Sequence, residues 1–160
     1  MIFFFSCGWE EDARAKKGFY TYTTLYHRDN YRLPIIQPYS ITSDDKGESW
    51  HFQSEAYGEH EFSTLKGAVI SIGIIDSVRF VVHTAIRIGF TGGSEIIYYW
   101  QIINAKEKTS IESKTEKEYL AHLSSLGIDS VKLYDNLDYL YNEFHNNKVL
   151  PPEWDIVCKK

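Results

Sequence analysis

Cysteine is scarce: two residues in 160, Cys7 and Cys158, near opposite ends of the chain. With neither metal-ligand nor C-x-x-C spacing, they imply no disulfide framework and no redox dithiol motif, although the two could still pair with each other. Long apolar runs are also missing. No stretch reaches the roughly 18 to 20 apolar residues that a membrane-spanning helix needs, and the most apolar block is interrupted by Ser71 and Gly73. Positive charge is in deficit, with 17 Lys and Arg against 22 Asp and Glu for a formal net charge of −5. That balance removes the basic footprint that phosphate-driven binding requires, so no nucleic-acid partner is expected. Also absent are a G-x-S-x-G elbow, an H-E-x-x-H pair and a glycine-rich phosphate loop, for which Thr91-Gly92-Gly93-Ser94 is too short. These gaps lower the expectation of an enzyme. They do not exclude one, since catalytic groups assemble from distant residues.

Aromatic residues, by contrast, make up 16% of the chain, and 12 of them are Tyr. Tyr and Trp favour strands and half-wet surfaces, and 160 residues can bury a core without disulfides or metal. The apolar residues concentrate between Leu65 and Lys106. Ala68–Ile74 and Val78–Phe90 alternate with the period of a strand. Val78, Phe80, Val82, Thr84, Ile86, Ile88 and Phe90 then point one way, and Arg79, Val81, His83, Ala85, Arg87 and Gly89 the other. Thr91-Gly92-Gly93-Ser94 offers the positive-φ residues of a tight turn, after which Glu95–Asn104 returns as a strand. With Thr91 opposite Ser94, Arg87 faces Tyr98, Ala85 faces Trp100 and His83 faces Ile102. A further turn at Asp76-Ser77 adds the Val69 strand, whose register decides which face Ile70, Ile72 and Ile74 join.

Elsewhere, 19–26 and 31–36 read as strands separated by the turn signal His27-Arg28-Asp29-Asn30, and Pro38 demotes the second towards a sheet edge. After the central block, 105–111 reads as a turn and a short edge strand. Thr115-Glu116-Lys117-Glu118 has the spacing of a capping box. The helix it opens carries Tyr119, Leu120, Leu123 and Leu126 on one face and stops at Gly127. Asp135 or Asn136 caps a second helix with Leu137, Leu140, Tyr141 and Phe144 inward, ending by Asn146-Asn147. Pro151 and Pro152 make 149–154 extended, with Trp154 pinning the tail.

Two short stretches carry resemblances. Ser43-Asp44-Asp45-Lys46-Gly47-Glu48-Ser49-Trp50 resembles the Asp-box of neuraminidase-type repeats, S-x-D-x-G-x-[ST]-W, with Ser43, Asp45, Gly47, Ser49 and Trp50 in the matching places. The resemblance implies a structural hairpin, not catalysis, and the single copy carries no sialidase activity with it. An ordinary Asp-Lys-Gly turn implies the same hairpin. Ser6-Cys7-Gly8, after an apolar run and before Glu10-Glu11-Asp12, resembles the lipobox of bacterial lipoproteins. It departs from that pattern in Phe4 and in lacking a basic segment before a short apolar run. The resemblance implies a lipid on Cys7 and a protein held at an extracytoplasmic membrane surface if the gene extends upstream of Met1. A buried strand with an inert thiol, in a cytoplasmic protein, is the alternative.

Two groups of side chains could carry function. Arg79, His83 and Arg87 with Tyr98 and Trp100 make a cationic and aromatic stripe suited to an anionic or aromatic partner, or a snorkelling structural face. His51, Glu55, Glu59, His60 and Glu61 form the densest set of metal-capable residues, which a metal or acid/base site would use and a solvated loop would merely expose. The expected fold is α+β: an antiparallel β-sheet of about six to eight strands with two C-terminal helices packed on it. Residues 1–18 are expected as a tether or lipoprotein-signal remnant, and 19–160 as one domain. The expected function is a small non-enzymatic binding module of the bacterial cell envelope acting on a protein partner without a cofactor, an inhibitor or immunity-like protein being one form. The alternatives are a hydrolase using His51, Glu55, Glu59 and His60, with or without a metal, and a structural envelope protein.

Overall fold

Seven antiparallel strands and two short C-terminal helices make up the described part of the chain, a mixed α+β architecture. The structure, a computed structural model, describes residues 31–36, 39–54, 65, 67–147 and 151–152. The expected strand at 19–26, the tether at 1–18, Trp154 and both cysteines lie outside these residues.

The strands divide into two sheets rather than one. β1 (Tyr31–Pro34), β2 (Tyr39–Ser43) and β3 (His51–Ser54) form a three-stranded meander. β4 (Ala68–Ile74), β5 (Arg79–Phe90), β6 (Gly93–Asn104) and β7 (Thr109–Ser113) form a second meander of four. The Val69 N–H donates to the Trp50 carbonyl at 2.6 Å, tying the sheets together. The turn between β4 and β5 closes at Asp76, whose Oδ1 accepts the Val78 and Arg79 N–H groups.

Alternation in β5 separates its faces as the sequence implies. Phe80 and Val82 enter the main core, between the two sheets, with Leu33, Tyr39, Ile41, Trp50, Ile72, Ile74 and Ile103. Val81 enters a second core on the opposite face with Ile102, Tyr119 and Leu123. The β4 register settles where its isoleucines go: Ile72 pairs with Val82 and Ile74 with Phe80, so both join the face opposite Arg79 and His83. Ile70 is the extra residue of a β-bulge between Val69 and Ser71.

The β5–β6 hairpin is two residues out from the expected register. Phe90 pairs with Gly93 around a Thr91-Gly92 turn, so His83 faces Trp100, Ala85 faces Tyr98 and Arg87 faces Ile96. One positive φ, 111° at Gly92, closes this turn, which frees Gly93 to extend the ladder. A slip of two residues leaves every side chain on its expected face.

The helices occupy opposite faces of the four-stranded sheet. α1 (Glu116–Ser125) packs Tyr119 and Leu123 into the second core, and α2 (Leu137–Asn142), continued by a π-helical turn at Glu143–Asn147, packs Leu137, Leu140, Tyr141 and Phe144 into the main core. Leu120 and Leu126 are exposed, contrary to the one-face reading, because a sheet under one side of a helix covers a narrower arc than the four residues span. The Thr115 hydroxyl accepts the Glu118 N–H at 3.2 Å, as the capping box requires. The Glu118 carboxylate reaches back to the Lys114 N–H instead of that of Thr115. At the other end Gly127, at φ 70°, donates to Ser124, and Ile128 donates to Leu123, a Schellman cap that lays Ile128 on the second core. A Cβ at Gly127 would meet nothing within 4 Å, so Gly127→Ala carries only the left-handed backbone strain. Thermal unfolding is expected to register a loss of about 1 kcal/mol.

Between the helices the chain runs along β4, where Tyr134 exchanges both backbone hydrogen bonds with Ile72 at 2.7 and 3.0 Å. Together with the Val69–Trp50 bond, this covers part of the sheet edge that β4 forms.

Candidate functional site

Four side chains lie in one row across the outer face of the four-stranded sheet, because Ser71 pairs with His83, His83 with Trp100 and Trp100 with Ser113. The His83 and Trp100 rings stack at 4.2 Å and 15°, with Tyr98 at 5.8 Å from His83. Trp100 in turn stacks on Tyr119 of α1, at 6.4 Å and 17°. Ser113 Oγ and His122 Nδ1, 2.9 Å apart, hold the other flank of α1 to β7. Buried Ser71 Oγ, His83 Nε2 and Tyr119 OH have no hydrogen-bond partner among the described residues. Burial lowers the His83 pKa and pushes the Tyr119 hydroxyl up to about 12.

The five residues of the expected stripe share this face but not one environment. Arg79 is committed to Asp76, with Nε and Nη2 each 2.7 Å from Oδ2. His83 and Trp100 are half-buried where α1 begins to cover the sheet. Arg87 and Tyr98 lie beyond that cover. Past Ala85 and Trp100 the described ladders of β4 and β7 have ended, and β5–β6 continue as a two-stranded ribbon. There Ile96 and Tyr98 are each 43% exposed, and Arg87 has no carboxylate partner among the described residues.

The Asp-box residues form the expected hairpin, between β2 and β3. Asp45 accepts from the Ser43 hydroxyl at 2.7 Å, from the Ser49 N–H at 2.8 Å and from the Ser49 hydroxyl. Those bonds, that of the Ser49 hydroxyl foremost, hold its carboxyl well below the usual carboxylate range. Gly47, at φ 103°, donates to Ser43 Oγ, and a Cβ there would strike the Asp138 carboxylate. Trp50 is buried and donates to Asp138 Oδ1 at 3.1 Å. The Ser43, Asp45 and Ser49 side chains are thus spent on shaping the turn, and that of Trp50 on fastening it to α2.

Of the metal-capable set, His51 is exposed on β3, 3.4 Å from the Ser49 hydroxyl. Glu55, Glu59, His60 and Glu61 lie outside the described residues. No three His, Cys, Asp or Glu side chains converge among the described residues. Two recesses flank α2: one of about 320 Å³ lined by Tyr134, Tyr139, Leu140 and Pro151, and an open one of about 580 Å³ between Glu48, Trp50, Asp135 and Asp138. Among the described residues, neither is lined by a serine, cysteine or histidine that could act as a nucleophile or its base.

Sequence reasoning missed Ser71, Tyr119 and Ser113 as neighbours of the stripe. Ser71 needs the β4 bulge to be known, and Tyr119 needs the face that α1 chooses. No protein-family model matches the chain, and neither a curated protein nor a solved structure is similar to it.

Proposed function

We propose that this chain is a non-enzymatic binding module that docks a protein partner on the open end of the four-stranded sheet's outer face, through Arg87, Ile96, Tyr98 and the edge of Trp100. The observation that carries it is the exposure of Ile96 and Tyr98 on a hydrogen-bonded ribbon, beside an Arg87 that has no carboxylate partner among the described residues. Tyr, Trp and Arg contribute most per residue to protein interfaces, and a sheet presents them at little entropic cost. A partner offering carboxylates and aromatic rings fits this surface. Wild-type protein is expected to retain one partner from envelope extracts of its native cells. The double variant Arg87→Glu/Tyr98→Ala is expected to bind it about a hundredfold more weakly, measured by quantitative retention. Its thermal unfolding should stay near wild type, because both side chains are exposed. Equal retention by the variant would refute the assignment.

The placement at the bacterial envelope rests on the lipobox-like Ser6-Cys7-Gly8. In native cells a Cys7→Ser change is expected to move the protein from the membrane fraction to the soluble one. Continued sedimentation of that variant with membranes would exclude a lipid on Cys7, and with it the envelope-tethered inhibitor or immunity-like form of the reading.

A further inference from the structure

We propose that His83 is an acid-sensitive latch on the docking face: when its ring gains a proton, the His83–Trp100 stack opens and the face stops binding. Only the last step rests on the docking reading above.

The geometry leaves a charged His83 without support. Its Nε2 is buried and has no hydrogen-bond partner among the described residues, and its cross-strand neighbour Ser71, 4% exposed, is neutral. β4 contributes no titratable side chain. From β6, Trp100 and Tyr98 face it with ring surfaces. From α1, Tyr119 lies on Trp100, and His122 is turned to Ser113. On β5 itself the charged neighbours of the same face are Arg79, held by Asp76, and Arg87, both of the sign a proton would add. No carboxylate among the described residues bonds to His83.

Imidazolium carries two N–H donors, and a buried donor without an acceptor is costly. Attraction to the Trp100 face offsets part of that cost. Turning the ring out to water removes the rest, but it breaks the stack. Trp100 is also the surface on which Tyr119 rests, so loss of the stack loosens Trp100, Tyr98 and the adjacent turn of α1 together. Burial favours the neutral ring, so the folded-state pKa lies below the unfolded value. The stability His83 supplies is therefore complete above about pH 6.5 and is lost as pH falls below it, through the folded-state pKa.

The test is a histidine NMR titration of the full chain alone, following the His83 ring and its cross-peaks to Trp100. His83 is expected to titrate below the ordinary histidine range, with its Trp100 cross-peaks vanishing as the ring gains its proton. His83→Phe keeps a stacked ring and should keep the tertiary signals of Trp100 through that range. Ser71→Asp places a carboxylate beside the ring and should move the His83 titration upward. A His83 that titrates at or above the ordinary histidine value of about 6.5, or a stack that survives its protonation, overturns the latch. The binding arm uses the protein that wild type retains at about pH 7.5. Retention is expected to fall about tenfold in wild type once the His83 ring has gained its proton and to be unchanged over the same pH range in His83→Phe. An equal fall in both overturns the latch, whereas no retention at any pH defeats the docking reading and leaves the titration to decide His83.

Discussion

Replacing Trp50 by alanine is expected to cost about 4 kcal/mol of unfolding free energy, read from chemical denaturation. Trp50 is buried in the main core, with its ring 6.5 Å from that of Tyr31 and 5.8 Å from that of Tyr141. It therefore joins β1, the Asp-box turn and α2 at one point. Truncation leaves a cavity as large as an indole, lined by rigid rings that collapse poorly. It also strands the bond to Asp138, although that carboxylate is exposed and water replaces the donor. Asp138→Ala alone is accordingly expected to cost only about 1 kcal/mol. A loss below that from Trp50→Ala would contradict the packing of the three-stranded sheet on α2.

Gly73→Val is expected to cost at least about 3 kcal/mol, by overpacking against a backbone that has nowhere to go. A Cβ at Gly73 would lie 2.6 Å from the Lys132 carbonyl oxygen and 2.8 Å from Val131 Cγ1. The Lys132 carbonyl cannot swing aside, because Tyr134, two residues on, is bonded through both backbone groups to Ile72. Accommodation means detaching the 131–134 segment from β4. Hydrogen exchange should show this as lost protection at the Ile72 and Tyr134 amides, with the β5–β6 amides still protected. Wild-type protection at Tyr134 in the variant would contradict the close approach.

Alternation of residue types makes β4 and β5 legible in the sequence, even though both faces of the sheet are covered around Phe80–Val82, where it meets the two cores. The same property makes the faces of β5 readable despite the wrong hairpin register, since a slip of two residues is invisible to alternation. It hides which residues touch: His83 opposite Trp100 could not be told from His83 opposite Ile102. The helix ends were legible at Thr115, Asn136 and Gly127, where capping is a local hydrogen-bond problem. The division into two sheets was not, because the inward residues of β1–β3 look alike whether they continue a sheet or face a second one. Nor does an apolar stripe say which face of a sheet it covers, and so the opposite placement of α1 and α2 was hidden. Trp50 meeting Asp138 across 88 positions is a tertiary fact of the same kind.

For the candidate site, residue types identified the stripe, but solvent access divided it. Arg79 is used by the Asp76 turn, which Asp-Ser-Val-Arg spacing suggests only once the turn is known. Arg87 and Tyr98 remain open because β4 and β7 end before the β5–β6 ribbon does, and strand ends are set by pairing partners elsewhere in the chain.

The most direct measurement is site-specific photocrosslinking in native cells, with a photoreactive phenylalanine analogue placed at Ile96, at Tyr98 or, on the far side of the molecule, at Tyr139. All three positions are exposed. Docking on the sheet's outer face should give one shared crosslinked product from positions 96 and 98 and none from position 139. A product from position 139 alone, or equal products from all three, would contradict it.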